Sequence, residues 1–254
     1  MLVETSTVIL PSNPVNIAKA AEILESGGIG AFPTETVYGL GADVFDIRAV
    51  AKIFEVKKRP VFDPLIVHVQ SERQVGEVAA NVPREARELM RKFWPGPLTF
   101  VLPKKAEVPD LVTAGLDTVA VRFPAHPAAQ KLIHALKSPI AAPSANRFGR
   151  TSTTDAASVA EEFGDTIDFV LDGGPCGVGV ESTIVKFGIG PGPASREVRI
   201  LRPGGISAED IQKALPGFKV IVALTKGAKP EAPGQLEEHY ATETPLIYLQ
   251  TPLK

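Results

Sequence analysis

Phe32-Pro33-Thr34-Glu35-Thr36-Val37-Tyr38-Gly39-Leu40-Gly41 is the stretch on which the reading of this chain turns. The run before it, Gly28-Ile29-Gly30-Ala31-Phe32, is short and apolar and reads as a buried strand. Pro33 has no N–H to give to a sheet ladder, so the strand is expected to end there. Two hydroxyls and a carboxylate then leave the strand end, followed by a tyrosine and two glycines. Polar side chains at the end of a buried strand line ligand crevices in α/β proteins; an ordinary polar connection is the alternative.

The surrounding sequence narrows the choice. A chain of 254 residues suffices for one large domain, or one domain and an appendage. Hydrophobic residues at 44% and charged residues at 22% are ordinary for a soluble globular protein. No apolar run reaches the roughly 18 residues that span a bilayer, and the first residues lack the basic and apolar segments of an export signal. A cytoplasmic protein without membrane association is expected. Cys176 is the single cysteine, which excludes an internal disulfide and a cysteine metal cluster. The net charge of −2 argues against a chain that is basic all over, but leaves room for a local basic groove.

Strands and helices alternate along the chain. Asn13-Pro14 caps a helix carrying Ile17, Ala21 and Leu24 inward, and Asp46 caps a second with Ile47, Val50, Ala51 and Phe54. Leu65–Val69, Leu98–Leu102, Val119–Phe123, Pro139–Ala142, Phe169–Leu171, Thr183–Phe187 and the run ending at Arg202 read as strands. Helices are expected after Pro83, over Pro127–Leu136, over Ala156–Phe163 behind Asp155, and from Ser207 to Leu215.

The polar residues that interrupt this pattern recur at strand ends. Lys57-Lys58-Arg59 is either a solvated face or a triphosphate site, where a point charge beside a planar fork suits the phosphates. Arg122 lies inside an apolar run and needs an acceptor, either a salt-bridge partner or a bound carboxylate. Ser144 and Asn146 leave a second strand end, and Ser182 stands at a third junction. The glycines from Gly173 to Gly179 match neither a Walker loop nor a dinucleotide fingerprint. No nucleophile elbow, sequence-local histidine base or zinc-type spacing occurs. Hydroxyls (Thr36, Ser144, Ser182) and cations (Lys57, Arg59, Arg122, Arg202) together fit a cleft for anionic substrates. Such a cleft stabilises charge in transfer at phosphorus without covalent catalysis.

Seven motifs then make a pattern: Phe32–Gly41, Lys57-x-Arg59-Pro60, Asp63–His68, Trp94-Pro95-Gly96-Pro97, Ala142–Asn146, Val180–Thr183 and Leu201–Gly204. In this order and spacing, over roughly residues 5 to 215, the chain resembles the YrdC-like threonylcarbamoyl-AMP synthase family. The resemblance implies an α/β fold, a twisted open mixed sheet with a large concave active-site face flanked by helices. It implies that L-threonine, bicarbonate and ATP give L-threonylcarbamoyl-AMP and pyrophosphate, with Mg2+ bound chiefly on the phosphates. A downstream tRNA threonylcarbamoyl transferase would then modify the adenosine 3′ of the anticodon, and a weak contact with the tRNA itself is compatible.

Carried over residue by residue, the resemblance assigns Thr36, His68, Arg122, Ala142 and Ser182 to L-threonine, with Arg122 taking the carboxylate. It assigns Lys57, Arg59, Asp63, Thr118, Ser144, Asn146, Ser152, Arg202 and Tyr240 to ATP, with Lys57 and Arg59 catalytic. Asp63 stands where an asparagine is expected. Longer members carry a second domain after a linker with a P-G-x-x-x-x-H-Y-A-P pattern; here Pro233-Gly234 and His239-Tyr240-Ala241 match, and Thr242 replaces the last proline. The expected division is therefore a catalytic domain over residues 1–217, a linker or active-site lid over 218–245, and from 246 to 254 only the start of a C-terminal domain that is absent or truncated. A double-stranded RNA or tRNA-binding module is the competing reading, and a pI near 6.1 gives it little support.

Overall fold

The computed structural model of the chain describes residues 8–188, 196–223 and 230–235. In it the strands are β1 (Ile9–Pro11), β2 (Gly30–Phe32), β3 (Gly39–Asp43), β4 (Ile66–His68), β5 (Leu98–Pro103), β6 (Thr118–Arg122), β7 (Ile140–Ala142), β8 (Phe169–Asp172), β9 (Thr183–Phe187), β10 (Glu197–Arg202) and β11 (Lys219–Val222). The helices are α1 (Pro14–Glu25), α2 (Ile47–Lys57), α3 (Glu72–Val78), α4 (Arg84–Phe93), α5 (Asp110–Thr113), α6 (Pro127–Leu136), α7 (Ala156–Phe163) and α8 (Ala208–Ala214). Among the described residues no helix is long and apolar enough to cross a membrane.

The helices begin where side chains can satisfy the unpaired first-turn N–H groups. Asn13 Oδ1 accepts from Asn16 N at 2.9 Å, and Asp46 Oδ1 accepts from Arg48 N at 2.9 Å. Asp155 Oδ1 accepts from Ser158 N at 2.8 Å, and Ser207 Oγ from Asp210 N at 3.1 Å. Pro14 and Pro127 occupy first-turn positions where no N–H is needed.

All the strands join one mixed sheet in the order β1-β8-β2-β3-β7-β4-β6-β5-β9-β10-β11. β4 and β6 run parallel in its centre, with His68 abreast of Arg122. One face is covered by α2, α4, α7 and α8 over a core that includes Val67, Phe100, Val121 and Val185. On the other face α1 and α6 cover only the half around Phe32 and Phe169. The remaining half holds Ile66, Val101, Ala120, Ile184 and Leu201, and there the covering residue is Ala232, fully buried, from the segment 230–235.

Four elements differ from the sequence reading, α5 among them, since the four residues Asp110–Thr113 are too few to show a period. Gly39–Asp43 was expected to continue a polar turn and instead forms β3, antiparallel to β2. Its glycines serve close packing: a Cβ on Gly41 would sit 2.6 Å from Ile140 Cγ2 and 2.7 Å from the Phe32 ring. α3 has no counterpart in the sequence reading, because seven residues with Gly76 among them show too short a period. Lys219–Val222, assigned to the linker, forms β11 and extends the sheet by parallel pairing with β10.

Candidate active site

The turn after β2 and the turn after β7 brace one another. Tyr38 O accepts from Ala145 N at 2.7 Å, Pro143 O accepts from Leu40 N at 3.0 Å, and Gly39 bridges to Ser144. Within the first turn Thr34 donates its hydroxyl proton to Val37 O at 2.6 Å, so in the 2.9 Å Thr34–Thr36 contact Thr36 is the donor. Tyr38 Oη donates to Gly174 O at 2.8 Å and ties the glycine-rich loop to the same turn.

A cleft opens beside these turns and runs along β4. His68 and Arg122 lie abreast towards one end, with Ser182 and Arg202 beside them; Arg59 and Ser144 lie towards the other, and Ala142 stands abreast of Ile66 at the start of β4. The sequence reading did not single out Thr34 or Glu181, which also face the cleft, and Pro233 lies at its rim. Thr34 carries the same chemistry as Thr36 two residues on, and only the turn geometry decides that Thr34 faces inward. Glu181 adjoins Ser182 and accepts from Ser152 Oγ at 2.8 Å.

The other expected residues stand behind this wall. Thr36 is fully buried, and Thr118 starts β6 at the end opposite Arg122. Lys57 is buried with its ammonium donating to Ser144 O at 2.7 Å and to Asn146 O, which makes it a brace for the turn after β7. Burial, reinforced by repulsion from Arg59, pulls the Lys57 pKa well down. Asn146 Nδ2 donates to Arg147 O and Arg150 O, each at 2.8 Å, while its buried Oδ1 has no partner among the described residues. Tyr240 lies outside the described residues.

Three arginines face the cleft, and each is held differently. Arg59 donates through Nε to Asp63 O at 3.1 Å and through Nη2 to Pro64 O at 2.9 Å. Its Nη2 also lies 2.8 Å from Asp63 Oδ2, an ion pair whose angles leave neither Asp63 oxygen hydrogen-bonded. Burial therefore raises the Asp63 pKa, with Arg59 pulling the other way. Arg122 Nη2 donates to Glu35 Oε1 at 2.6 Å. Arg202 donates through Nη2 to Ser182 O at 3.0 Å and to Ser182 Oγ at 3.1 Å, and burial brings its pKa down to about 10.

His68 packs edge-on against Phe32 at 5.7 Å. Burial, with repulsion from Arg122, lowers its pKa to about 3, so the imidazole is neutral across the physiological range. Gly204 brings the turn after β10 against this wall: a Cβ there would lie 2.3 Å from Glu181 O. Among the described residues no cluster of three or more His, Cys, Asp or Glu side chains could hold a metal.

The sequence and the fold that carry this cleft have known relatives. The Sua5/YciO/YrdC family, described as telomere recombination, matches residues 22–204. The chain belongs to the Sua5/YciO/YrdC family. Family relatives include the threonylcarbamoyl-AMP synthases of Pyrococcus abyssi and Bacillus subtilis, 46% and 44% identical over 92% and 93% of this chain. The chain spans 67% of the length of each. The crystal structure of P. abyssi Sua5 complexed with L-threonine is similar at a TM-score of 0.86 and 45% identity, over 92% of this chain and 69% of that one. E. coli YciO shares the Sua5/YciO/YrdC fold at a TM-score of 0.69 and 24% identity.

A second family, the threonylcarbamoyl-AMP synthase C-terminal domain, matches residues 206–254. This corrects the expectation that the C-terminal domain is missing: sequence of that domain family is present from residue 206 onward. Of its first part, β11 joins the same sheet by pairing with β10, and α8 packs over that sheet through Ile211.

Proposed function

We propose that this chain is an L-threonylcarbamoyladenylate synthase, a nucleotidyltransferase that makes L-threonylcarbamoyl-AMP and pyrophosphate from L-threonine, bicarbonate and ATP. The observation that carries the reading is the convergence of His68, Arg122 and Ser182 at one end of the cleft, in a fold matching that of a relative crystallised with L-threonine. Arg122 takes the threonine carboxylate as a planar fork. Ser182 offers its hydroxyl, and neutral His68 offers a ring nitrogen without adding charge.

At the other end Arg59 and Ser144 receive the nucleotide, and Arg202 stands between the two substrates. Lys57, Thr36, Asp63, Asn146 and Ser152 act through the turns they brace, while Thr118 and Tyr240 remain part of the proposed ATP set. The threonine amine attacks the bicarbonate carbon, giving a carbamate and releasing water. A carbamate oxygen then attacks the α-phosphorus, and pyrophosphate leaves with the phosphorus–oxygen electron pair. Arg59 and Arg202 stabilise the charge that moves onto the leaving oxygens.

Mg2+ would be held chiefly by the phosphates, and Glu181 is the oxygen donor on the cleft wall suited to it. When bound, the ion neutralises the triphosphate. The segment 230–235 is the anchored start of a lid over the nucleotide, and the product passes to a tRNA threonylcarbamoyl transferase in the cytoplasm. The test is pyrophosphate release by the purified chain with and without L-threonine and bicarbonate. Release that needs both and is lost in Arg59→Ala supports the reading; release indifferent to threonine overturns it.

A further inference from the structure

Glu35 is part of none of the ligand sets above, yet it is tied to the cleft more firmly than several residues that are. We propose that Glu35 is the positioning residue that fixes the Arg122 guanidinium for a substrate carboxylate, an inference that rests on the reading of this end of the cleft as the L-threonine site.

The geometry supplies each step. Arg122 is only 4% exposed, and its guanidinium has two protein acceptors among the described residues. Nη2 donates to Glu35 Oε1 at 2.6 Å, and Nε reaches Gly96 O at a long 3.4 Å. The second contact is weak, so Glu35 sets the orientation of the fork.

Glu35 is itself immobilised. Its Oε2 accepts from Ala125 N at 2.9 Å, so the carboxylate is clamped between the turn after β6 and the guanidinium. Its backbone carbonyl accepts from Val178 N at 2.8 Å, and Thr34 knots the turn on its other side. Glu35 holds Arg122 from behind, because Arg122 faces the cleft and Glu35 does not. Nη1 makes no hydrogen bond among the described residues and stays available to an incoming carboxylate. A guanidinium can serve two carboxylates on different edges, provided one of them pins the plane. Glu35 also offsets the charge of Arg122 beside neutral His68.

The test is calorimetric binding of L-threonine and, separately, ATP to the full chain and to Glu35→Gln, with steady-state kinetics on both. Glu35→Gln keeps the shape and loses the charge. The expected result is L-threonine affinity and KM worse by about tenfold, ATP affinity within about twofold, and kcat at saturating threonine within about threefold. Unchanged threonine affinity in Glu35→Gln, with the unaltered chain binding normally, overturns the proposal alone. Parallel loss of threonine and ATP affinity with a lower melting temperature also overturns it, since that pattern marks a merely structural role. An unaltered chain that fails to bind L-threonine overturns the site reading and the proposal with it. If Glu35→Gln does not fold, Glu35→Asp, which keeps the charge and withdraws it by one methylene, is expected to lose threonine affinity about threefold and leave ATP affinity alone.

Discussion

Arg59 and Asp63 share an ion pair but do not depend on it equally. Arg59 keeps the carbonyls of Asp63 and Pro64 if the carboxylate is neutralised, whereas the Asp63 carboxylate is fully buried with no hydrogen bond among the described residues to fall back on. Arg59→Ala is therefore expected to cost about 3–5 kcal/mol in urea denaturation, as a stranded buried charge does, besides abolishing turnover. Asp63→Asn should cost well under half of that; equal losses would show that the pair is not asymmetric. His68 supplies a pH dependence. Its folded pKa of about 3 lies below the unfolded value near 6.5, so between those limits the unfolded chain binds the extra proton. Stability from this group is complete above the unfolded pKa and declines as pH falls from 6.5 towards 3, by at most about 1.4 kcal/mol per pH unit. Urea midpoints measured between pH 7 and pH 5 (about the window before most carboxylates titrate) should fall less steeply in His68→Gln than in the unaltered chain. Much of this site was legible: Arg122 had to have an acceptor, and hydroxyls at strand ends had to face something. Lys57 was harder to place, because its charge suggested phosphate while its position continues the buried stripe Val50, Ile53 and Phe54 of α2. Which of Thr34 and Thr36 faces the cleft is decided by the hydrogen bonds that knot the turn, and no sequence pattern carries it.

Caps and periodicity identified α1, α2, α6 and α7 from sequence because those signals are local. β3 and β11 escaped because their reasons are remote: β3 needs Phe32 and Ile140 to justify its glycines, and β11 needs β10 beside it. The attachment of the segment 230–235, which the sequence marked only as part of a linker or lid over 218–245, also rests on residues remote in sequence. The segment is fastened by Ala232 in the apolar patch, by Lys186 paired with Glu231, and by Gln235, whose Nε2 donates to Leu201 O at 3.4 Å. Arg202 Nη1 meets Pro233 O at 3.5 Å, so the segment touches the cleft's own machinery. Ala232→Asp would place a carboxylate among Ile66, Val101 and Leu201 without an acceptor. The expected outcome is faster proteolysis within residues 230–235 and a KM for ATP raised by about fivefold or more, with the urea midpoint of the sheet little changed, since the segment contributes no strand to the sheet. An unaltered KM would show that the fastening has no part in nucleotide binding.

At the scale of the molecule, a net charge of −2 coexists with a cleft walled by three arginines. Anion recognition is therefore a property of where charge is placed, which composition could not reveal. Binding to the folded form alone stabilises it by mass action, so pyrophosphate at about one hundred times its dissociation constant should add about 2.7 kcal/mol. Thermal unfolding with and without pyrophosphate reads this, and Arg59→Ala should erase most of the gain. The sheet order has a further consequence. Among the described strands β1 is paired with β8 alone, and β8 separates it from β2, just as β7 separates β3 from β4. During synthesis from the N-terminus, β1 has no neighbour, and β2 keeps an open edge, until Phe169–Asp172 has left the ribosome. The first half of the chain is thus not a foldable unit, and its sheet assembles only by admitting late strands between early ones. Such interleaving makes contacts distant in sequence and closure slow, so the nascent protein passes through a long interval with bare strand edges, when a chaperone that covers extended chain would matter most.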